Sequence, residues 1–312
     1  MSDSNLTGQQ RSRLTTSAAM ASSALAIILI ALKAYAALQT SSMAMLGSLT
    51  DSSLDLVASL IVLLAVRIAA APADQEHRFG HGKAEALAAL VQVIIITMSA
   101  IFIAYRAIQR LLSGAGTADA ELGIGVSIAA IVLTLALITY QRHVVRTTGS
   151  LAIGTDRLHY SSDLLLNGSV IVALALEQYA GLTGADAVFG VLIAAWLLWG
   201  AWSASGQALH QLMDREWPDE LRERFLAAAK DYPELAGLHD LRTRSSGTHN
   251  FAQFHVWVPG DWTVQQAHDR LDAAEEALQA RFPGTEILIH VDPEGQHDRE
   301  TMLPQEITER AH

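Results

Sequence analysis

Long apolar runs fill the first two thirds of the chain, near Leu14–Ala37, Met43–Ala70, Ala84–Leu112, Leu122–Tyr140, Leu151–Tyr179 and Ala187–Ala208. Each comes close to the ~20 helical residues that a bilayer core demands. The pattern therefore predicts an α-helical membrane domain of six transmembrane helices over residues 14–212, preceded by a polar tail over 1–13. The second and fifth runs carry acidic residues and are the poorest hydropathy peaks. From Asp214 the period changes, and a small α/β domain in the order αββαβ is expected over 213–293. Pro218 opens its first helix, whose apolar face is Leu221, Phe225, Leu226 and Ala229, and Pro233 lies beyond its end. Strands are expected near Leu238–Arg244, Ala252–Val258 and Glu286–Val291. The second helix starts at Thr263, with Gln266 three residues on as a capping box. Residues 294–312 are polar and without period, and read as a disordered tail.

Composition narrows the picture. Of 312 residues, 51% are hydrophobic and 17% charged, and the formal net charge is −11. An anionic protein is a poor partner for nucleic acid and a good one for cations. There is no cysteine, so disulfides and thiolate ligands are excluded, and a bound metal would be held by nitrogen and oxygen. The first 13 residues lack the apolar core and small-residue site of a cleaved signal peptide. Basic residues cluster at one set of loops, at Arg11 and Arg13, at Arg67, Arg78 and Lys83, and at Arg142 and Arg146. The loops Gln39–Ser42, Ser113–Glu121 and Ala180–Asp186 carry few, with Arg106 and Arg110 as counter-evidence. The asymmetry predicts that both termini are cytoplasmic.

The acidic interruptions carry the chemistry. Asp51 and Asp55 are four residues apart on the second run, and His159 and Asp163 repeat the spacing on the fifth, so each helix presents two ligand-type side chains on one face. A carboxylate within a bilayer costs at least ~2.5 kcal/mol, and a divalent cation relieves that cost. Three carboxylates and one imidazole suit zinc in a tetrahedral O/N shell, with Asn167 as an outer hydrogen-bond partner. Without metal, the same groups take up protons, so metal and protons compete for one site. Asp74, His77 and His81 have ligand chemistry at short spacing in a polar loop, where Gly80 and Gly82 allow a tight turn. Solvated loop residues explain them about equally well. In the last domain the alternation of Phe254, Val256 and Val258, and of Ile287, Ile289 and Val291, puts His255 and His290 on the opposite face of the sheet. His239, His268 and Asp292 would complete a metal cluster there. Surface histidines are the plainer alternative.

The motifs L-T-D-S-S-L-D, F-G-H-G-K-A-E, H-Y-S-S-D, H-D-L-R-T-R and I-L-I-H-V-D-P together resemble the cation diffusion facilitator family, over about Ala24 to Pro293. The resemblance implies a transport site at Asp51, Asp55, His159 and Asp163. It also implies a loop site at Asp74, His77 and His81, and a cytoplasmic binuclear site at His239, His255, His268, His290 and Asp292. Val291 departs from the glutamine of relatives, which leaves only a backbone carbonyl as donor there. Further implications are a homodimer, a copper-chaperone-like fold for the cytoplasmic domain, and a Lys83–Asp214 charged interlock at the dimer interface. The implied activity is proton-driven export of Zn2+ from the cytoplasm of a bacterium across its inner membrane, so that membrane lipid, divalent metal ions and protons are the partners. Fe2+, Cd2+ or Mn2+ export is the nearest alternative, and His159 favours zinc over manganese. A membrane-anchored metal sensor would not need paired acids on two helices. A hydrolytic metalloenzyme would need an open metal position and a general base, and no second constellation supplies them, so an enzyme is not expected.

Overall fold

The structure, a computed structural model, describes residues 7–40, 43–113, 124–180, 184–247 and 249–294. Six long helices come first: α1 Gly8–Thr40, α2 Met43–Ala69, α3 Ala84–Ser113, α4 Ile124–Thr148, α5 Leu151–Ala180 and α6 Ala185–Leu212. None of the 7 prolines in the chain falls within them, so nothing removes a backbone donor from their interiors. Among the described residues, α1, α2, α3, α4 and α6 are long and apolar enough to cross a membrane. The exception is α5, whose first half holds Asp156, Arg157, His159 and Asp163. Those side chains are accommodated because α5 packs among α3, α4 and α6. Outward-facing Ile27, Leu64, Ile94, Trp199 and Trp202 give the bundle an apolar exterior, as a lipid-facing surface requires. Small residues let helices approach: Ala86, Ala89 and Ala208 form one contact between α3 and α6, and a side chain at Gly190 would meet Ala107 at 3.0 Å.

Two helix ends differ from the hydropathy reading. The first helix begins at Gly8, inside the segment read as a tail, because Thr7 and Gln10 form a capping box: the Gln10 amide donates to Thr7 Oγ1 at 3.3 Å and the Thr7 amide to Gln10 Oε1 at 2.9 Å. The fourth continues past Tyr140 to Thr148. Its last turns are amphipathic, with Gln141, Val144 and Thr148 buried and Arg142, His143 and Arg146 not, so apolarity fades where the helix does not.

The C-terminal domain comprises α7 Asp219–Ala229, a 3₁₀ turn Pro233–Leu235, β1 His239–Ser246, β2 His249–Val258, α8 Val264–Arg281 and β3 Thr285–Pro293. The sheet order is β1-β2-β3, with β1 and β2 antiparallel and β2 and β3 parallel. Thr263 and Gln266 make the expected capping box of α8. One face of the sheet packs on the helices through Trp217, Phe225, Phe254, Val256, Leu271, Leu278 and Ile287. The other, more polar face carries Gln253, His255, Glu286, His290 and Asp292 together with Phe251, Trp257 and Leu288.

The loop between α2 and α3 docks on this domain. The rings of Phe79 and Phe251 meet edge-on at 5.8 Å, and Arg244 of β1 packs against both, 4.4 and 4.5 Å from their centroids. Lys83 Nζ reaches Asp214 Oδ2 at 3.0 Å and also donates to the Leu212 carbonyl, so the pair expected between Lys83 and Asp214 forms within one chain. Gly82 runs so close to the β1–β2 turn that a Cβ there would fall 2.1 Å from the Ser246 carbonyl oxygen. Backbone cannot yield as a flexible side chain does. Gly82→Ala is therefore expected to loosen the docked loop at a cost of about 1–3 kcal/mol, read as faster hydrogen exchange over residues 74–84 and 239–251 with the six helices unaffected.

Candidate metal sites

Within the helical bundle, α2 and α5 meet at three ligand-type side chains. His159 Nε2 lies 3.0 Å from Asp55 Oδ1 and 3.9 Å from Asp163 Oδ2, and one donor atom from each residue falls within 4.8 Å of the others. A tetrahedral zinc shell with ~2.0 Å bonds sets its donors ~3.3 Å apart, so the observed spacing admits such an ion with small adjustments. Asp51 lies one turn before Asp55 on α2, and its side chain lies outside the described residues. Exposure of the side chains rises along the site, from 8% at His159 to 33% at Asp163. Asn167 does not reach a ligand side chain. Its Nδ2 donates to the Asp163 backbone carbonyl at 2.8 Å, the bond an i, i+4 amide makes on its own helix.

In the α2–α3 loop, Asp74 receives the backbone N–H groups of Glu76 at 2.9 Å and His77 at 2.6 Å, and Gly80 takes the positive φ of the turn. That turn sets His77 Nδ1 3.4 Å from Asp74 Oδ1 and His81 Nε2 3.3 Å from Asp74 Oδ2. The His77 N–H, aided by that of Glu76, holds the Asp74 carboxyl below the usual carboxylate range.

On the polar face of the sheet, strand register does the assembly. His239 of β1 pairs with His255 of β2, which pairs with His290 of β3, so three imidazoles stand in one row. Asp292, two residues beyond His290, joins them: its Oδ2 is 3.2 Å from His239 Nε2 and 2.9 Å from His255 Nδ1, and its Oδ1 is 3.3 Å from His290 Nε2. The second nitrogen of His239, Nδ1, donates to the Gly237 carbonyl at 2.9 Å, which fixes the tautomer that leaves Nε2 as a donor to metal. Its ring also stacks on Trp257 at 4.3 Å. His268 is not brought into this group within one chain. It lies exposed on α8, along a groove of ≈ 420 Å³ shared with Asp272, Glu275, Trp262 and Val291.

The sequence reading passed over Asp240. A bulge between His239 and Arg242 places Asp240 at φ 49°, a left-handed conformation that few residues other than glycine adopt. The residue is 7% exposed; its Oδ2 accepts from Arg242 Nη2 at 3.0 Å and lies 3.8 Å from His255 Nε2, and its Oδ1 has no hydrogen-bond partner among the described residues. The H-D dipeptide at a strand start was the available signal.

Residues 19–213 match the model of the cation efflux transmembrane domain, and residues 217–294 that of the cation efflux protein cytoplasmic domain. The cation-efflux pump FieF of Serratia proteamaculans (strain 568) is 44% identical over 284 residues, covering 91% of this chain and 94% of that protein. The protein of the same name from Cronobacter sakazakii (strain ATCC BAA-894) is 43% identical over 281 residues, covering 90% and 93%. A solved structure of CzrB in its Zn form is 40% identical, covering 28% of this chain and 99% of its own, with a TM-score of 0.26. A helical membrane domain joined to a cytoplasmic α/β domain, with the two family models and the two cation-efflux pumps, defines a membrane transporter of cations and not an enzyme. The chain belongs to the cation efflux family, the cation diffusion facilitators.

Two outcomes are expected from this geometry. Asp292→Asn removes the carboxylate that touches all three strand histidines, and is expected to weaken metal binding by the cytoplasmic domain ~10–100-fold or more, measured by titration calorimetry with zinc. For the loop, a depressed aspartate pKa contributes stability that is present above the unfolded value of ~3.9 and is lost as pH falls through the lower folded value. Protection of the Glu76 and His77 amides, taken relative to each amide's intrinsic rate at the same pH, is therefore expected to hold on acidification to about pH 4 and to fall only below it, whereas Asp74→Asn lowers it at neutral pH.

Proposed function

We propose that this transporter is a proton-coupled antiporter that exports a divalent transition metal, Zn2+ before others, from the cytoplasm through Asp51, Asp55, His159 and Asp163. The convergence of Asp55, His159 and Asp163 between two helices is the observation that carries the reading. With Asp51 the set supplies three carboxylates and one imidazole, a net charge of −3 against +2. The empty set is a base for protons, so cargo and protons exclude one another, and alternating exposure of one site to two compartments then couples their fluxes. A nitrogen donor among oxygens suits zinc, cadmium or ferrous iron better than manganese.

Orientation has support from two contacts. The start of α1 at Gly8 lies against His249 of β2, and the α2–α3 loop docks on the same domain, which sets both on the side where Arg142 and Arg146 end α4. In this reading that side is the cytoplasm and the membrane is the bacterial inner membrane. The cytoplasmic domain binds metal at His239, His255, His290 and Asp292, and two copies of the chain associate through it. His268, on α8 and away from that cluster, is left to a second metal or to the partner copy. The loop residues Asp74, His77 and His81 hold metal next to the docked domain.

Vesicles containing the purified transporter test the proposal. An imposed pH gradient is expected to drive zinc uptake, and Asp55→Ala or Asp163→Ala to lower it by about two orders of magnitude, as loss of a direct ligand demands. Flux indifferent to the gradient would refute antiport. Flux unchanged in both variants would refute the site, and parallel runs with Cd2+, Fe2+ and Mn2+ rank the cargo.

A further inference from the structure

One fully buried carboxylate in the membrane domain is not among the four proposed ligands. Asp156 of α5 is 0% exposed. Its Oδ2 accepts from Ser22 Oγ of α1 at 2.5 Å and from Gln141 Nε2 of α4 at 2.7 Å, and its Oδ1 from Gln92 Nε2 of α3 at 3.1 Å. All three donors are neutral. Gln92 and Gln141 are 1% and 0% exposed, yet the carbonyl oxygens of their amides have no hydrogen-bond partner among the described residues. Both amides turn their NH2 groups to Asp156 and leave their own acceptors unsatisfied, an arrangement that is costly in a protein interior. It is built for an acceptor-only group at this position.

The same stretch of α5 is also fixed to α2. Four residues after Asp156, the Tyr160 hydroxyl donates to the Ser22 carbonyl at 3.1 Å and shares a hydrogen bond with Ser59 Oγ of α2 at 2.9 Å. Between these two anchors stands His159, whose ring packs edge-on against Tyr160 and whose Nε2 faces Asp55. Residues 156–160 are thus held to α1, α2, α3 and α4 at once. One residue of slip along a helix turns a side chain by about 100°, enough to take the imidazole out of reach of α2.

We infer that Asp156 is a positioning residue for transport: it clamps α5 in the rotation that aims His159 at Asp55. This rests on the reading of Asp55, His159 and Asp163 as cargo ligands. Asparagine at 156 would set an NH2 group against the NH2 groups or hydroxyl that now donate to it. The clamp loosens and the ligand set spreads, while no ligand atom is removed.

The test is zinc flux as a function of zinc concentration in vesicles under a fixed pH gradient, for full-length wild type and Asp156→Asn at matched amounts of monodisperse protein. The half-saturating zinc concentration is expected to rise about tenfold or more, as when a partner that orients a ligand is lost, with the maximal rate within about threefold of wild type. A fallen maximal rate with unchanged half-saturation would mark a merely structural role and overturn the inference, as would no change in either. Should Asp156→Asn not fold, Ser22→Ala and Gln141→Leu each remove one donor, and a half-saturation unmoved in both overturns it equally. Asp55→Ala, run alongside, keeps the two readings apart: retained flux there overturns the ligand assignment itself, whereas lost flux there with unmoved half-saturation in the clamp variants overturns only the role of Asp156.

Discussion

A carboxylate placed in the low-dielectric interior of a membrane domain must find compensation there, and much of this bundle is arranged to meet that demand. Three acidic groups of the described helices meet it in three ways. Asp55 is met by an imidazole on another helix, with Asp163 close by. Asp156 is met by neutral donors from three helices. Glu85, in the first turn of α3, is 3% exposed and takes the Ser150 hydroxyl from the α4–α5 junction. Each solution ties together helices distant in sequence, so the acids that interrupt the hydropathy of the bundle are also among its cross-links. Apolar packing alone gives little specificity between helices in lipid, and such polar contacts supply it.

The junction between domains works by a different principle. Arg244 covers the edge-on pair of Phe79 and Phe251, and its guanidinium also comes within 3.5 Å of Asp214 Oδ1, which shares its carboxylate with Lys83. The cluster is half apolar, which holds the loop by area, and half charged, which orients it. Because Gly82 and Gly247 bring two backbones together with no side chain between them, the loop carrying Asp74, His77 and His81 is seated against the sheet that carries the strand histidines. The local order of one is thereby tied to the placement of the other.

The parts that were legible in the sequence are those encoded by periodicity. Residues four apart on a helix share a face, and so Asp51 with Asp55, and His159 with Asp163, were recognisable as two pairs before any contact was known. Alternation along β2 and β3 likewise assigned His255 and His290 to one face. What periodicity omits is register and irregularity. That His239, His255 and His290 stand opposite one another follows from strand pairing, and Asp240 is turned toward the cluster by a bulge, which no alternation pattern anticipates. Asp156 was passed over because it stands outside the i, i+4 pair of His159 and Asp163 on the same run. Its partners Ser22, Gln92 and Gln141 lie on three other helices, each of them an ordinary polar residue in its own context. The end of α4 was misjudged because hydropathy reports lipid contact and not helicity. His268 was grouped with the other histidines by residue type and by the resemblance, and it lies exposed on α8, outside the row of three within one chain.

The proposed sites also differ in how firmly their donors are held, and the difference matches what each would have to do. At the sheet, His239 is fixed by the Gly237 carbonyl and by stacking on Trp257, and one carboxylate touches three imidazoles. Such donors are set in place before a metal arrives, and a preorganised site binds tightly and releases slowly. In the bundle the described ligands differ in exposure. His159 sits beside the Asp156 and Tyr160 anchors, while Asp163, one turn further on, is a third exposed. A site that must give up its cargo in every cycle is better served by one fixed ligand and others that can part from it, because tight binding in both conformations would leave the ion in place. In the proposed reading, that gradient of exposure suits a site built for passage, and the fixed donors of the sheet suit one built for retention.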